Sequence, residues 1–403
     1  MRRKKRDARR TLNLYLLAIG KNPHNRGLWG IGMRVIILAM VLLQLAPWAY
    51  AQVAPETVSE EALPAPQDSW FLLKGWDAAY LFDSNSGDMQ GSLTLSWYTP
   101  AVEPNIPRNE FYAAESFYSR GVRGERTDVL TIFDLTSMSA KAEVVLPQKT
   151  TPLWLRNYIG LLGDNRHVVV FNMTPAQSVS VVDVIDQEFA GEISTPGCAL
   201  ILPVDDHSFV MICGDGSVQL IRLDENGKEA KRNRSKQFFS VDEDPVFDQV
   251  TRTDSGWILA SHEGLVIQLT VSGDDIELDQ PWSMLSADDI VEKWRPGGRQ
   301  MMDFHRGSRV LYVLMHKGGV DTHYEPGEEA WLFDIDRKRR IGRVNLKVSA
   351  EAIQVTQEAA PKMLTINTAA DVDVYDGQLL RHLRTIVEPS PTPMYLQTLG
   401  PHD

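Results

Sequence analysis

The chain has 403 residues, two cysteines and a formal net charge of −12, and 43% of its residues are hydrophobic. Residues 1–51 hold ten basic residues and one acid, so the rest of the chain has 31 basic and 52 acidic residues, a formal charge of −21. A chain this acidic lacks the basic surface that binding to a nucleic-acid phosphate backbone requires. We therefore expect no nucleic-acid partner.

The first 51 residues predict a secretory signal peptide. A basic stretch precedes the uncharged run VIILAMVLLQL at residues 35–45, which is short for a membrane span, and Ala49-Tyr50-Ala51 follows as a small-x-small cleavage site. We expect cleavage after Ala51 and export. An uncleaved membrane anchor is the alternative, because a second apolar stretch lies upstream.

Residues 52–69 predict a flexible N-terminal arm. They contain Pro55, Pro64 and Pro66 with several acids and few apolar side chains, a composition that cannot bury a core. An arm that lies along a partner subunit is the alternative.

One pattern occurs seven times along the chain. A β-rich run ends in a turn, and a second apolar run follows the turn. The turns open at Asp83, Asp134, Asp183, Asp224, Thr270, Asp334 and Asp376. Their mean spacing of about 49 residues is typical of propellers and solenoids, and it accommodates four strands. The sequence predicts an all-β fold, a seven-bladed β-propeller of four-stranded antiparallel blades at residues 70–390, followed by a C-terminal tail at residues 391–403.

Residues 96–120, between the first two repeats, contain three prolines and six aromatic residues. Phe111 and Phe117 fall on one face of a predicted strand and are expected in the blade core. Prolines fix the preceding loop, which can present its side chains rigidly to a partner or ligand. Tyr98 is therefore the best candidate in this loop to line a pocket.

Cys198 and Cys213 flank the segment ALILPVDDHSFVMI, which predicts a strand, a turn at Pro203 to His207 and a second strand. Such a hairpin can bring the two Cα atoms within disulfide range, and an even pair in an exported chain favours a disulfide. A metal site is the weaker alternative, because the nearest further ligand, His207, lies at the opposite end of the hairpin.

We find no sequence motif for a catalytic, cofactor-binding or metal-ligating site. There is no nucleophile elbow, no His-Glu-x-x-His and no phosphate-binding glycine loop. His305 and His316 flank the strand VLYVLM and could meet only across its ends. Ser286 and Asp289 predict a capping box that opens a short helix.

Three blocks of sequence carry a resemblance to a known family. They are Arg123-Gly124-Glu125-Arg126-Thr127-Asp128 with Phe133-Asp134, Cys198 and Cys213 with Asp215-Gly216-Ser217, and Trp294-Arg295-Pro296-Gly297-Gly298 with Gln300 and His305-Arg306. In these blocks the chain resembles the heavy (large) subunit of the tryptophan tryptophylquinone amine dehydrogenases, which include methylamine dehydrogenase and aromatic amine dehydrogenase.

The resemblance implies a periplasmic complex of two heavy and two light chains that oxidises primary amines to aldehyde and ammonia. It implies that the light chain carries the tryptophan tryptophylquinone cofactor and the catalytic base, and that a blue copper protein of the amicyanin or azurin type accepts the electrons. The heavy chain would support the light chain and line the substrate channel, with Tyr98 where the family has a phenylalanine. The alternative is an exported, non-catalytic propeller that acts as a binding module.

Overall fold

In the computed structural model, residues 62–148, 150, 151, 153 and 155–399 are described. The predicted signal peptide, its cleavage site after Ala51 and the first part of the arm lie outside these residues. The described residues form an all-β propeller with one short α-helix, α1 (Ala287–Val291), and 3₁₀ turns at Ile106–Arg108 and Arg156–Tyr158. The predicted capping box of Ser286 and Asp289 opens α1 and is confirmed.

The described strands form six sheets, in which neighbouring strands are antiparallel. The first sheet contains β1 (Trp70–Lys74), β2 (Ala78–Asp83), β3 (Met89–Thr94) and the C-terminal strand β29 (Tyr395–Thr398). The second contains β4 (Val102–Asn105), β5 (Glu110–Tyr118), β6 (Arg126–Asp134) and β7 (Ser139–Leu146). The third contains β8 (Ile159–Leu161), β9 (His167–Asn172), β10 (Ser178–Asp183) and β11 (Glu188–Ser194).

The remaining three sheets come from the second half of the chain. The fourth contains β12 (Cys198–Asp205), β13 (Ser208–Cys213), β14 (Val218–Leu223) and β15 (Glu229–Arg234). The fifth contains β16 (Thr251–Arg252), β17 (Gly256–Ala260), β18 (Leu265–Ser272), β19 (Asp275–Leu278) and β20 (Trp282–Ser283). The sixth contains β21 (Trp294–Pro296), β22 (Met302–His305), β23 (Val310–Lys317), β24 (Gly327–Asp334), β25 (Arg339–Val355), β26 (Lys362–Asn367), β27 (Val372–Asp376) and β28 (His382–Ile386).

The prediction of a seven-bladed propeller of four-stranded blades is wrong. Five of the sheets have the four or five strands of a single blade, whereas the sixth has eight. The cause is β25, a continuous strand of 17 residues. Its first part pairs with β24 and its last residues pair with β26, so hydrogen bonding continues where the sequence pattern predicted a break.

The hairpin turns themselves follow the predicted pattern at six of the seven positions. Asp83, Asp134, Asp183, Asp224, Asp334 and Asp376 each accept a hydrogen bond from a backbone N–H two or three residues later. An aspartate side chain stabilises a turn in this way. Thr270 does not open a turn, because β18 continues to Ser272 and the turn follows at Gly273, which has a φ of +58°.

The two ends of the described chain are tied into the propeller. β29 pairs with β1, with Phe71 opposite Thr398, so a segment that we expected in the C-terminal tail closes the first sheet. In the expected N-terminal arm, the Leu63 N–H donates to Thr136 O at 3.0 Å and the Leu63 side chain packs against the core.

Short strands surround a central cavity of roughly 80 Å³. They are β4, β8, β12, β16, β22, β29 and the C-terminal part of β25, which we call the inner strands. These strands begin at the same end of the propeller. At that end the N–H of Val102, the first residue of β4, donates to the hydroxyl of Tyr395, the first residue of β29. Gln300, just before β22, forms a parallel β-bridge with Ala352 of β25. We call this end the upper face and the opposite end the lower face.

Candidate functional site

The upper face exposes aromatic side chains from neighbouring loops. Trp76 lies between β1 and β2, and Trp97 and Tyr98 lie in the loop before β4. Phe117 and Tyr118 lie at the end of β5, beside the turn that leads to β6. We call these five residues the aromatic patch.

Two ring contacts organise the aromatic patch. The Trp76 and Trp97 centroids lie 6.2 Å apart, and those of Tyr98 and Tyr118 lie 5.3 Å apart, both edge to face. Trp97 and Phe117 remain 56% and 42% exposed. Because exposed aromatic clusters of this kind mark interaction surfaces, the patch is the candidate functional site.

The structure places the aromatic residues of this region in two environments. Phe111 is buried in the core, as predicted. The prediction for Phe117 is wrong, because β5 continues beyond its buried segment and leaves its last two residues at the surface. Tyr98 is half-buried on the upper face, which is compatible with its predicted role but does not test it.

A buried carboxyl group fixes the loop that carries Trp97 and Tyr98. Glu115 Oε1 accepts a hydrogen bond from the Ser96 N–H at 2.6 Å, and its other oxygen accepts from the Thr131 hydroxyl. Burial raises the Glu115 pKa, and these hydrogen bonds oppose the shift. The loop is thus held from below by a residue of β5.

Lys74 lies under the same patch and fixes the Trp76 turn. Its side chain is fully buried, and its ammonium group donates to the carbonyl oxygens of Gly75 and Trp76. Burial lowers the Lys74 pKa to about 8, although Asp77 and Glu115 act in the opposite direction. A buried lysine and a buried glutamate therefore hold the two tryptophan-bearing loops in place.

The Arg123-to-Asp128 block anchors the β5–β6 hairpin. Asp128 is fully buried and accepts hydrogen bonds from Arg126 Nε at 2.7 Å and from the Ser116 hydroxyl at 2.8 Å. Its second oxygen accepts from the Thr150 N–H at 3.0 Å. Arg126 Nη2 also donates to Thr150 O at 2.7 Å, so the block joins the hairpin to the loop that precedes β8.

The central cavity contains a polar network that the sequence did not predict. Arg156 Nη1 donates to Gln354 Oε1 at 3.0 Å, and Gln354 Nε2 donates to Asp303 Oδ2 at 2.6 Å. Asp303 also accepts from the Thr251 hydroxyl at 2.8 Å. These four residues lie on separate segments around the cavity, so the network joins parts of the chain that are far apart in sequence.

Glu103 faces the same cavity. Burial raises its pKa to about 7, and the Leu161 backbone, Arg156 and Arg252 partly offset this effect.

A second cavity of about 190 Å³ shares Arg156 and is also lined by Tyr324 and Tyr395, which places it at the upper end of the inner strands.

Four of the five aromatic patch residues, Glu115 and the polar network of the central cavity lie within a region that is shared with known proteins. Residues 77–396 match the family model for the methylamine dehydrogenase heavy chain. The chain belongs to this family.

Two curated relatives show the extent of the similarity. The methylamine dehydrogenase heavy chain of Methylobacillus flagellatus is 25% identical over 293 residues, which cover 72% of this chain and 73% of the relative. The heavy chain of Paracoccus versutus is 24% identical over 326 residues, which cover 79% and 75%.

Solved structures show likeness of fold alone. A functionally unknown protein from Desulfotomaculum acetoxidans has a TM-score of 0.58 with 10% identity, and the match covers 83% of this chain and 99% of that protein. Kuenenia stuttgartiensis hydrazine synthase has a TM-score of 0.54 with 12% identity, and the match covers 80% of this chain and 99% of that protein.

The cysteines of this heavy-chain family member form the predicted disulfide. Cys198 and Cys213 are directly opposite each other in the β12–β13 hairpin, with their sulfur atoms bonded and their Cα atoms 3.9 Å apart. Arg234 Nη2 lies 3.1 Å from Cys198 Sγ and its Nη1 pairs with Asp215 at 2.7 Å. The disulfide joins the open end of the β12–β13 hairpin, and its cysteines are distant in sequence from the aromatic patch residues.

The Trp294-to-Gln300 block helps to close the ring. Gln300 Nε2 donates to Leu396 O at 3.0 Å, and its Oε1 accepts from the Leu396 N–H at 2.8 Å. Gly298 has a φ of +118°, and a Cβ there would lie 2.9 Å from Glu351 O, so glycine is required for this approach. The block holds β29 beside the C-terminal part of β25.

His305 and His316 are not brought together. His305 contacts Ser308 and Glu358, whereas His316 contacts Thr322 beyond the other end of β23.

In the part of the chain that the structure describes, no helix has both the length and the apolar character to cross a membrane.

Proposed function

We propose that this chain is the heavy subunit of a periplasmic quinoprotein amine dehydrogenase that oxidises primary amines to aldehyde and ammonia. The observation that supports this proposal is the family match over residues 77–396. In this proposal two heavy chains assemble with two light chains, and a blue copper protein of the amicyanin or azurin type accepts the electrons. The signal peptide predicted at residues 1–51 would direct export of the chain across the membrane.

The tryptophan tryptophylquinone of the light chain would supply the redox chemistry. This chain would bind and orient the light chain and exclude water from the amine site. Its buried Lys74 and Glu115 suit this role, because they fix the two loops that carry Trp76, Trp97 and Tyr98 at the upper face. Tyr98 would line the channel through which the amine approaches.

The aromatic patch is the proposed docking surface for the light chain. Tryptophan and phenylalanine side chains bury large areas at low conformational cost, and aromatic residues dominate the binding energy of many interfaces. Trp97, which is 56% exposed, is the best single anchor. Burial of its exposed surface on assembly would remove the cost of its hydration.

A binding experiment with a matched control tests the docking surface. Trp97→Ala should weaken the affinity of purified heavy chain for light chain at least ~10-fold, as expected for an interface anchor. Leu379→Ala is the control, because Leu379 is 73% exposed and lies in the turn between β27 and β28 on the lower face. Equal affinities for both variants and the parent chain would contradict the proposed surface.

Activity and composition test the enzyme assignment. The native complex should contain a small second chain with a quinone absorbance band, and it should reduce an artificial electron acceptor with short aliphatic or aromatic amines. The isolated heavy chain should not oxidise amines. Native material that lacks a light chain and a quinone band would instead support the non-catalytic binding propeller.

A further inference from the structure

Two neighbouring turns on the lower face bring two imidazoles and a carboxylate together. Asp164 lies in the turn between β8 and β9, His167 is the first residue of β9, and His207 lies in the turn between β12 and β13. The Gly163 N–H donates to Asp205 O at 3.1 Å and links the two turns. The three side chains therefore come from two adjacent sheets.

The three side chains converge on one carboxylate oxygen. His167 Nδ1 lies 2.6 Å from Asp164 Oδ2, and His207 Nδ1 lies 3.7 Å from the same atom. One ligand atom from each residue lies within 4.8 Å of the other two, and the described residues contain no other such group of three. His167 is fully buried, so its position is fixed by packing.

Two imidazole nitrogens in this cluster, His167 Nε2 and His207 Nδ1, are left unsatisfied. His207 Nδ1 is buried without a hydrogen-bond partner among the described residues, although the outer part of the ring is exposed. At 3.7 Å it is too far from Asp164 Oδ2 for a hydrogen bond. A buried nitrogen of this kind costs free energy unless another group satisfies it.

We propose that Asp164, His167 and His207 bind a divalent transition-metal ion, with zinc as the expected occupant and a fourth position open to water. Two imidazoles and one carboxylate form a donor set that suits zinc. Zinc bonds of about 2.0–2.2 Å in a tetrahedron separate the ligand atoms by roughly 3.3 Å. The distances of 2.6 and 3.7 Å lie on either side of this value, so small opposite shifts would complete the site.

Two further carboxylates lie beside the cluster. Asp205 and Asp206 immediately precede His207 in the chain. The Asp206 carboxylate lies against Gly163, where a Cβ would be 2.7 Å from its Oδ1. The Arg166 and His167 backbone N–H groups donate to Asp164 Oδ1 at 2.9 and 3.0 Å and orient this carboxylate.

A bound metal would tie the third sheet to the fourth at the lower face. The aromatic patch lies at the opposite face, so metal binding requires neither the light chain nor amine oxidation. Failure of one proposal would leave the other unaffected.

The test is metal binding to the purified full chain after treatment with a chelator. Titration with Zn²⁺ by calorimetry and metal counting after dialysis should give one ion per chain. Co²⁺ should give the visible absorption of a four-coordinate site with nitrogen and oxygen ligands. Less than stoichiometric binding of both ions would overturn the proposal.

Two ligand variants and one control test the assigned ligands. Asp164→Asn and His207→Ala should each weaken Zn²⁺ binding by roughly 10–100-fold or more. His207 is partly exposed, and the amide oxygen introduced by Asp164→Asn could still accept the turn hydrogen bonds, so both variants should fold. His382→Ala is the control, because His382 also pairs with an aspartate, Asp373, at 2.9 Å. Equal loss of affinity in all three variants would reject the assigned site.

Discussion

The Tyr98 ring meets the Tyr118 ring edge to face, at a centroid distance of 5.3 Å and an interplanar angle of 63°. The two residues come from loops that different buried groups hold, Glu115 below the first and Asp128 below the second. Their contact joins the loop before β4 to the β5–β6 hairpin. The position of Tyr98 therefore depends on both loops.

The first prediction is that Tyr98→Ala changes the substrate preference of the assembled complex. If Tyr98 lines the channel, removal of its ring should alter the ratio of kcat/KM for small and bulky amines by about 10–200-fold, the range for differential fit in a pocket. Tyr98→Phe separates the hydroxyl from the ring: a large effect indicates hydrogen bonding, and a small one indicates shape. Normal assembly with an unchanged ratio would remove Tyr98 from the channel.

The second prediction concerns the disulfide. Replacement of Cys198 and Cys213 together by serine should lower the free energy of unfolding by about 2–4 kcal/mol, as expected for a closed loop of this length. Turnover of the assembled complex should not change. Chemical denaturation measures the first effect, and thiol titration of the unreduced, denatured parent chain should find neither cysteine reactive.

Local features of the fold could be predicted from the sequence because they depend on neighbours in the chain. Asp83 and Asp376 stabilise their turns through N–H groups two or three residues away, and the Cys198–Cys213 pair depends on one hairpin. The fusion of blades through β25 could not be predicted in this way. It depends on which distant strands pair with its two ends.

The polar cavity was missed for the same reason. Arg156 and Gln354 are 198 residues apart and meet only when the ring closes. The prediction that His207 lies at the opposite end of the hairpin from the cysteines is confirmed. Its approach to Asp164, however, depends on the packing of adjacent sheets. No spacing rule within one repeat would have signalled either arrangement.

The third prediction is that Glu103→Gln stabilises the chain above neutral pH. Burial raises the Glu103 pKa from an ordinary 4.5 to about 7, so the folded state binds the proton more tightly than the unfolded state. The charged carboxylate is therefore a destabilising group that acts fully above pH 7 and loses its effect as the pH falls toward 4.5.

Glutamine removes this charge. Because the Glu103 side chain faces a cavity rather than tight packing, we expect a gain of about 2 kcal/mol at about pH 8 and little difference at about pH 4.5. Unfolding of both chains by urea across this pH range measures the change. A gain of the same size at both pH values would assign the effect to packing and not to ionisation.

The fourth prediction concerns Asp128, which joins the β5–β6 hairpin to the loop before β8. Asp128→Asn keeps the shape of the side chain but removes the charge that faces Arg126. Loss of one partner from a buried ion pair is strongly destabilising, and Arg126 is partly exposed, so we expect a loss of about 2–4 kcal/mol in the free energy of unfolding. Asp134→Asn is the matched control on the same strand, because asparagine can still accept the turn hydrogen bond from the Ser137 N–H, and its cost should stay within about 0.5 kcal/mol. Equal destabilisation by the two variants would show that the buried pair is not the anchor of the hairpin.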